Sequence, residues 1–257
     1  MMPRRRKSVI DASDVIRDAA KPMDIPTRRA FLKSAAGLGS LTLLTGCDIV
    51  DSASAENALM AMSRFNDRVQ AFLFDPNKLA PEYPASMITR PFPFNAFYSA
   101  DKAPDVPAEG FRLELAGKIA NTAPWTLDQL YAEKQVTQIT RHICVEGWSA
   151  IGSWTGIRFS DFLTKIGADL RAPYVTFRCA DGYSTSIDMP TALHPQTQLT
   201  LRFDGETLPR IYGYPMKLRM PTKLGFKNPK HITAIEVTDR YPGGYWEDQG
   251  YNWFSGL

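Results

Sequence analysis

Residues 141–163, RHICVEGWSAIGSWTGIRFSDFL, constrain this chain more than any other stretch. Of three cysteines, Cys144 is the one placed to do redox or metal work inside a folded domain, and glycine and aromatic residues crowd the sequence that follows it. A thiolate is a soft, strong metal ligand. Arg141 and His142 just before it put a positive neighbour where it would favour loss of the thiol proton. The competing reading is that Cys144 is a small buried hydrophobe at a strand end.

The block Cys144-Val145-Glu146-Gly147-Trp148-Ser149, with Ser153-Trp154-Thr155-Gly156 close behind, resembles the molybdenum-binding core of the sulfite-oxidase family. Within that family it is most similar to the branch of periplasmic methionine-sulfoxide reductase catalytic subunits. The resemblance implies that Cys144 is both the metal ligand and the catalytic residue, bound to molybdenum beside the dithiolene sulfurs of a molybdopterin. It also implies an α+β fold, a mixed sulfite-oxidase-type molybdopterin-binding domain that is single and compact.

Ahead of this domain the chain reads as an address. Thr27-Arg28-Arg29-Ala30-Phe31-Leu32-Lys33 matches a twin-arginine export signal, and the apolar run at 35–46 is too short to span a bilayer core of about 30 Å. The run ends Leu44-Thr45-Gly46-Cys47, which looks like a bacterial lipobox, so that cleavage before Cys47 would let its thiol carry lipid and attach the protein to the membrane. Asp48 resembles the signal that retains lipoproteins at the inner membrane, and simple cleavage with a free thiol is the alternative. The organisation predicted is a twin-arginine lipoprotein signal segment at 1–46, a tether and first helix at 47–75, and the oxidoreductase domain at 76–257. A net charge of +3 with 22% charged residues argues for no nucleic-acid partner.

Within the domain, proline dominates 76–107 and predicts irregular extended chain. Alternation predicts a strand at 111–117, Thr126 is a plausible cap for a short helix, and residues 136–145 read as the strand that delivers Cys144. Ser160 is expected to cap a further helix. Strands follow at 174–179, on both sides of Asp204-Gly205, and from Ile232. A disulfide between Cys144 and Cys179 would remove the thiolate that a metal needs.

The remaining site residues come from the resemblance. Asn95, Tyr98 and Ser99 lie in a loop similar to the family's Asn-x-Phe-Tyr segment and imply pterin contacts. Cys179 stands where the family has a threonine that touches the cofactor. The segment from Tyr212 to Pro221 departs from pattern twice, with Tyr212 for asparagine or histidine and Lys217 for a forking arginine, so phosphate contact survives better than ring recognition. Asn228 and Lys230 sit in a loop similar to the family's Gly-x-Lys-x-x-Lys phosphate cradle. His142, His194 and His231 show no triad spacing and read as structural or rim residues.

The function expected is a periplasm-facing molybdopterin-dependent oxidoreductase, anchored at the inner membrane, that reduces a sulfoxide or N-oxide small-molecule substrate by oxygen-atom transfer. Glu146 and Trp148 beside Cys144 disfavour the anion sulfite. Without a haem or iron–sulfur motif in the chain, electrons would come from a membrane-bound electron-transfer partner, a b-type cytochrome as in similar systems. An oxidase of sulfite or another small substrate, or a metal-free partner-binding lipoprotein, remain the alternatives.

Overall fold

Two sheets share the chain, and they bury different chemistry. A computed structural model describes residues 52–257, with side chains described from residue 59 onward. The export segment, the lipobox and Cys47 lie outside the described residues. In chain order the regular elements are α1 (Ser52–Leu73), β1 (Glu114–Gly117), α2 (Leu127–Ala132), β2 (Gln135–Ile143), β3 (Ser149–Arg158), α3 (Phe159–Lys165), β4 (Tyr174–Cys179), β5 (Ser184–Asp188), α4 (Met189–Leu193), β6 (Gln198–Phe203), β7 (Glu206–Thr207), β8 (Lys217–Arg219) and β9 (Ile232–Thr238).

The first sheet runs β1-β9-β4-β5, with β1 parallel to β9 and the other pairs antiparallel. Its inward positions are hydrocarbon, including Leu115, Val175, Phe177, Ile235 and Val237, because apolar side chains two apart share a face. Each such side chain contributes about 1.5–3 kcal/mol on burial. Phe159, Phe162 and Leu163 of α3 belong to the same core.

The second sheet is antiparallel throughout, β2-β3-β6-β7, with β8 also paired to β6. Beside buried Trp154, Ile157, Leu199, Leu201 and Leu218 it buries many polar side chains: Gln138, Thr140 and His142 on β2, Gln198 and Thr200 on β6, Lys217 and Arg219 on β8. Polar groups buried in this number need partners or a guest.

The structure adjusts several sequence expectations. The strand expected at 111–117 begins its ladder only at Glu114, with Leu113 bridging Trp125 instead. Thr126 does cap α2, in a full capping box: its hydroxyl accepts from the Gln129 amide at 3.2 Å, and its own amide donates to the Gln129 side chain at 2.8 Å. Ser160 does not cap α3; the helix starts one residue earlier, so Ser160 is already inside it while Asp161 stays in the first turn. Between Leu73 and Glu114 the proline-rich chain holds only short 3-10 turns, as expected.

Candidate active site

The β2–β3 hairpin delivers Cys144. The Cys144 amide donates to the Trp148 carbonyl at 2.9 Å and the Gly147 amide donates to the Cys144 carbonyl at 3.1 Å, which closes a tight turn. Gly147 has φ +92°, a conformation that glycine adopts without strain. Cys144 therefore sits one residue beyond the end of β2, buried to 6% exposure, with its sulfur on the wall of a cavity of about 280 Å³. Both Cys144 and Cys179 are free thiols, so the competing disulfide is not formed.

The cavity gathers Asn95, Tyr98, Cys144, Asn228 and Lys230 along one wall system, although they come from three separate parts of the chain. Lys230 extends its ammonium to the Asn95 carbonyl and to the Ile211 carbonyl at 3.2 Å, and lies 4.6 Å from the Phe94 ring centre. Burial pulls its pKa down to about 8. The Asn95 amide reaches His142 Nε2 at 3.3 Å. Burial, then Arg219, Lys217 and Lys230, hold His142 well below its ordinary range, so a neutral ring accepts there and its Nδ1 proton is left buried without a partner. Asn228 accepts from the Met220 amide at 2.6 Å and from Arg219 at 3.3 Å, which ties the wall to β8 behind it.

Four expected contacts stand off the cavity wall. Ser99 precedes a 3-10 turn at Ala100–Lys102. Cys179 faces the hydrocarbon core, where burial keeps its thiol well above the ordinary range. Tyr212 donates its hydroxyl to the Phe92 carbonyl at 2.6 Å. Lys217 is buried to 2% exposure with its ammonium 4.7 Å from the Trp154 ring centre. It packs beside Lys230 across Gly213, where an added Cβ would come within 3.0–3.1 Å of both side chains.

The positive neighbour expected for Cys144 is not the one beside it in sequence. Arg141 points to the opposite face of β2, its guanidinium 5.1 Å from the Tyr83 ring centre. Burial, and after it the Glu146 carboxylate, push the Cys144 thiol up, partly offset by neighbouring backbone amides. Glu146 lies 3.8 Å from the sulfur and accepts from the Trp148 indole at 2.9 Å. His194 is structural, with its ring nitrogens engaged by Lys78 and Gln196.

Sequence reasoning passed over most of the mouth. Asp181 and Tyr183 line it, with Asp181 accepting from the Tyr98 hydroxyl at 3.0 Å and Tyr183 donating to the Phe226 carbonyl at 2.7 Å. Trp246 and Tyr251 of the C-terminal segment complete it. Phe97 stacks on Tyr245 at 5.0 Å. Arg219 was named only as part of a motif; its spacing of two from Lys217 on a strand is the signal that both face inward.

The donor set fits an anionic, metal-bearing cofactor. Lys217, Arg219 and Lys230 are buried with no carboxylate within salt-bridge distance among the described residues, whereas buried Lys227 is paired with Glu247. Arg219 Nε, His142 Nδ1 and His231 Nε2 are buried and unpartnered. Buried charge without a partner is costly unless something else neutralises it. Among the described residues no three His, Cys, Asp or Glu side chains converge on a metal site, so a metal at Cys144 needs ligands from an organic group.

The family described as oxidoreductase molybdopterin binding domain matches residues 100–246. Over its whole length and the whole of its relative, the chain is 61% identical to a protein of Azospira oryzae provisionally named protein-methionine-sulfoxide reductase subunit YedZ1. It is 29% identical to the protein-methionine-sulfoxide reductase catalytic subunit MsrP of Burkholderia mallei, over 55% of this chain and 48% of that one, and so spans about half the length of that relative. In fold it is similar to the sulfane dehydrogenase SoxCD of Paracoccus pantotrophus, with a TM-score of 0.50 and 18% identity over 54% of this chain and 40% of that one. The mixed sheets, the thiol-lined cavity and these likenesses agree: the chain belongs to the oxidoreductase molybdopterin-binding family and is a molybdopterin-dependent oxidoreductase.

Proposed function

We propose that this oxidoreductase reduces a sulfoxide or N-oxide at a molybdenum held by Cys144, facing the periplasm and attached to the inner membrane through a lipid on Cys47. The observation that carries the reading is the division of the cavity, with a thiol on its wall, cations without a carboxylate in salt-bridge reach behind, and the carboxylates of Glu146 and Asp181 among aromatic rings at the mouth. That mouth repels an anion such as sulfite and accepts a neutral oxide. The names of the Azospira and Burkholderia relatives support the sulfoxide.

When bound, the cofactor supplies a metal that exchanges two electrons and an oxygen atom with substrate. Overall, a sulfoxide, two electrons and two protons give a thioether and water. Cys144 holds the metal. Asn95 would hold the pterin and Lys230 its phosphate, with Asn228 bracing the loop, while Lys217 and Arg219 would add positive charge from behind. Ser99, Cys179 and Tyr212 support that wall. Tyr98 is fixed by Asp181, and the rings of Trp246 and Tyr251 keep water from the reacting atoms.

Residues 1–46 are read as a twin-arginine signal, 47–75 as tether and helix, and 76–257 as the catalytic domain. No helix among the described residues is long and apolar enough to cross a membrane. Electrons would arrive from a membrane-bound partner of the b-type cytochrome kind, a reading that the word subunit in the names of the Azospira and Burkholderia relatives supports. Assay of the exported protein with a reduced dye tests the reading. Turnover of free and protein-bound methionine sulfoxide is expected, and oxidation of sulfite with no turnover of any sulfoxide or N-oxide would overturn it.

A further inference from the structure

Helix α1 is mounted with its apolar face turned outward. Toward the body it presents Met60, Ser63, Asp67, Gln70 and Phe74 at intervals of three and four, all of intermediate burial. The contacts there are chiefly polar: Asp67 accepts from the Phe254 amide at 2.7 Å and Gln70 from the Gly256 amide at 3.2 Å. Phe74, just past the helix, meets Phe254 edge-on at 5.6 Å.

The outer face carries Leu59, Met62, Phe65, Val69, Phe72 and Leu73, with Phe72 exposed to 88%. At the helical repeat these six cover an arc of about 140°. Such an arc is wider than a two-helix seam, and each of these side chains gains by leaving water. Exposed Arg64 and Arg68 border it on one side.

We propose that this face lies in the surface of a lipid bilayer, with Arg64 and Arg68 at the level of anionic headgroups. The proposal rests on reading Cys47 as lipid-bearing. Four residues separate Cys47 from Ser52, a reach of at most about 18 Å over five steps, so an acyl chain at Cys47 would hold the start of α1 at the membrane. The helix does not qualify as a membrane span, and an amphipathic helix with basic flanks lies in the interface. The C-terminal segment grips α1 through Phe254 and Gly256 and also sends Trp246 and Tyr251 to the cavity mouth, so the membrane-facing helix and the mouth share one support.

Nitroxide labels on the full, processed protein test this, placed through Phe65→Cys, Phe72→Cys and, as a control, Arg68→Cys, all at exposed positions. On vesicles of phosphatidylethanolamine with phosphatidylglycerol, the ratio of oxygen to nickel-chelate accessibility should rise at least about fivefold at 65 and 72 and stay near its solution value at 68. Equal water access at all three positions overturns the proposal, and does so with the anchor reading intact if mass spectrometry finds lipid on Cys47. Immersed labels on a chain without lipid at Cys47 support the surface and sink the anchor. Labels shielded in native membranes but wet on vesicles overturn it in favour of a protein partner.

Discussion

Lys230 on the cavity wall, and Lys217 and Arg219 on β8 behind it, are buried without a carboxylate in salt-bridge reach among the described residues; Lys227 is buried just as deeply but is paired with Glu247. The second cation is finished by the chain itself. Glu247 also accepts from the Thr185 hydroxyl at 2.5 Å, and Lys227 donates to the Ser186 carbonyl at 2.6 Å, so the pair locks the C-terminal segment onto β5. The first three meet carbonyls, amides, a hydroxyl or a ring but no counter-charge among the described residues. A fold retains unpaired buried charge when a guest supplies the missing sign, so the difference separates the scaffold from the cofactor seat.

The largest test of the contrast is to unpair the second cation. Glu247→Ala would leave Lys227 buried alone and cost about 3–5 kcal/mol, read as a lower denaturant midpoint. The double change Lys227→Met with Glu247→Leu should recover most of that loss, since a buried pair is replaceable by hydrocarbon of similar volume.

Next comes pH, in cofactor-free protein. Lys230 titrates near 8 when folded and near 10.5 when unfolded, so between those values the unfolded chain binds more protons. Stability should therefore rise with pH across that window, by up to about 3 kcal/mol, and be independent of this group below pH 8, where both states hold the proton. Lys230→Met should lack the rise, and bound cofactor should suppress it by restoring the ammonium.

A smaller effect is expected on retention. Lys230→Met should loosen molybdopterin about tenfold to a hundredfold, the worth of one charged hydrogen bond, as measured by the pterin that survives desalting. Least of all, Glu146→Gln should lower the KM of an anionic substrate such as sulfite only a few-fold, with the gain fading at high salt.

How much of this was legible in the sequence depended on whether a residue's task is local. The Thr126 cap, the strand at 174–179 and the hairpin around Asp204-Gly205 rest on neighbours a few positions away and appear where residue spacing put them, whereas the strand expected at 136–145 runs Gln135–Ile143 and leaves Cys144 in the turn beyond it. β3 and β8 were not foreseen as strands. β3 is buried on both faces and so lacks alternation, and β8 holds only three residues, two of them cations that are normally exposed. At the site, Asn95 and Lys230 reach the wall because loop backbone holds them there, whereas Lys217 is turned under Trp154 by β8. Asp181 read only as a turn residue because its partner, Tyr98, lies 83 positions away in the chain. The Arg141 expectation failed on strand geometry: three positions from Cys144, it projects from the other face of β2.

The seat of the cofactor is tested most directly by elemental and pterin analysis of protein exported by the twin-arginine route, wild type beside Cys144→Ser. The account predicts about one molybdenum per chain in the wild type and its loss in the variant, with pterin phosphate still retained by the cationic wall. Equal molybdenum in both proteins, or none in either, would contradict it.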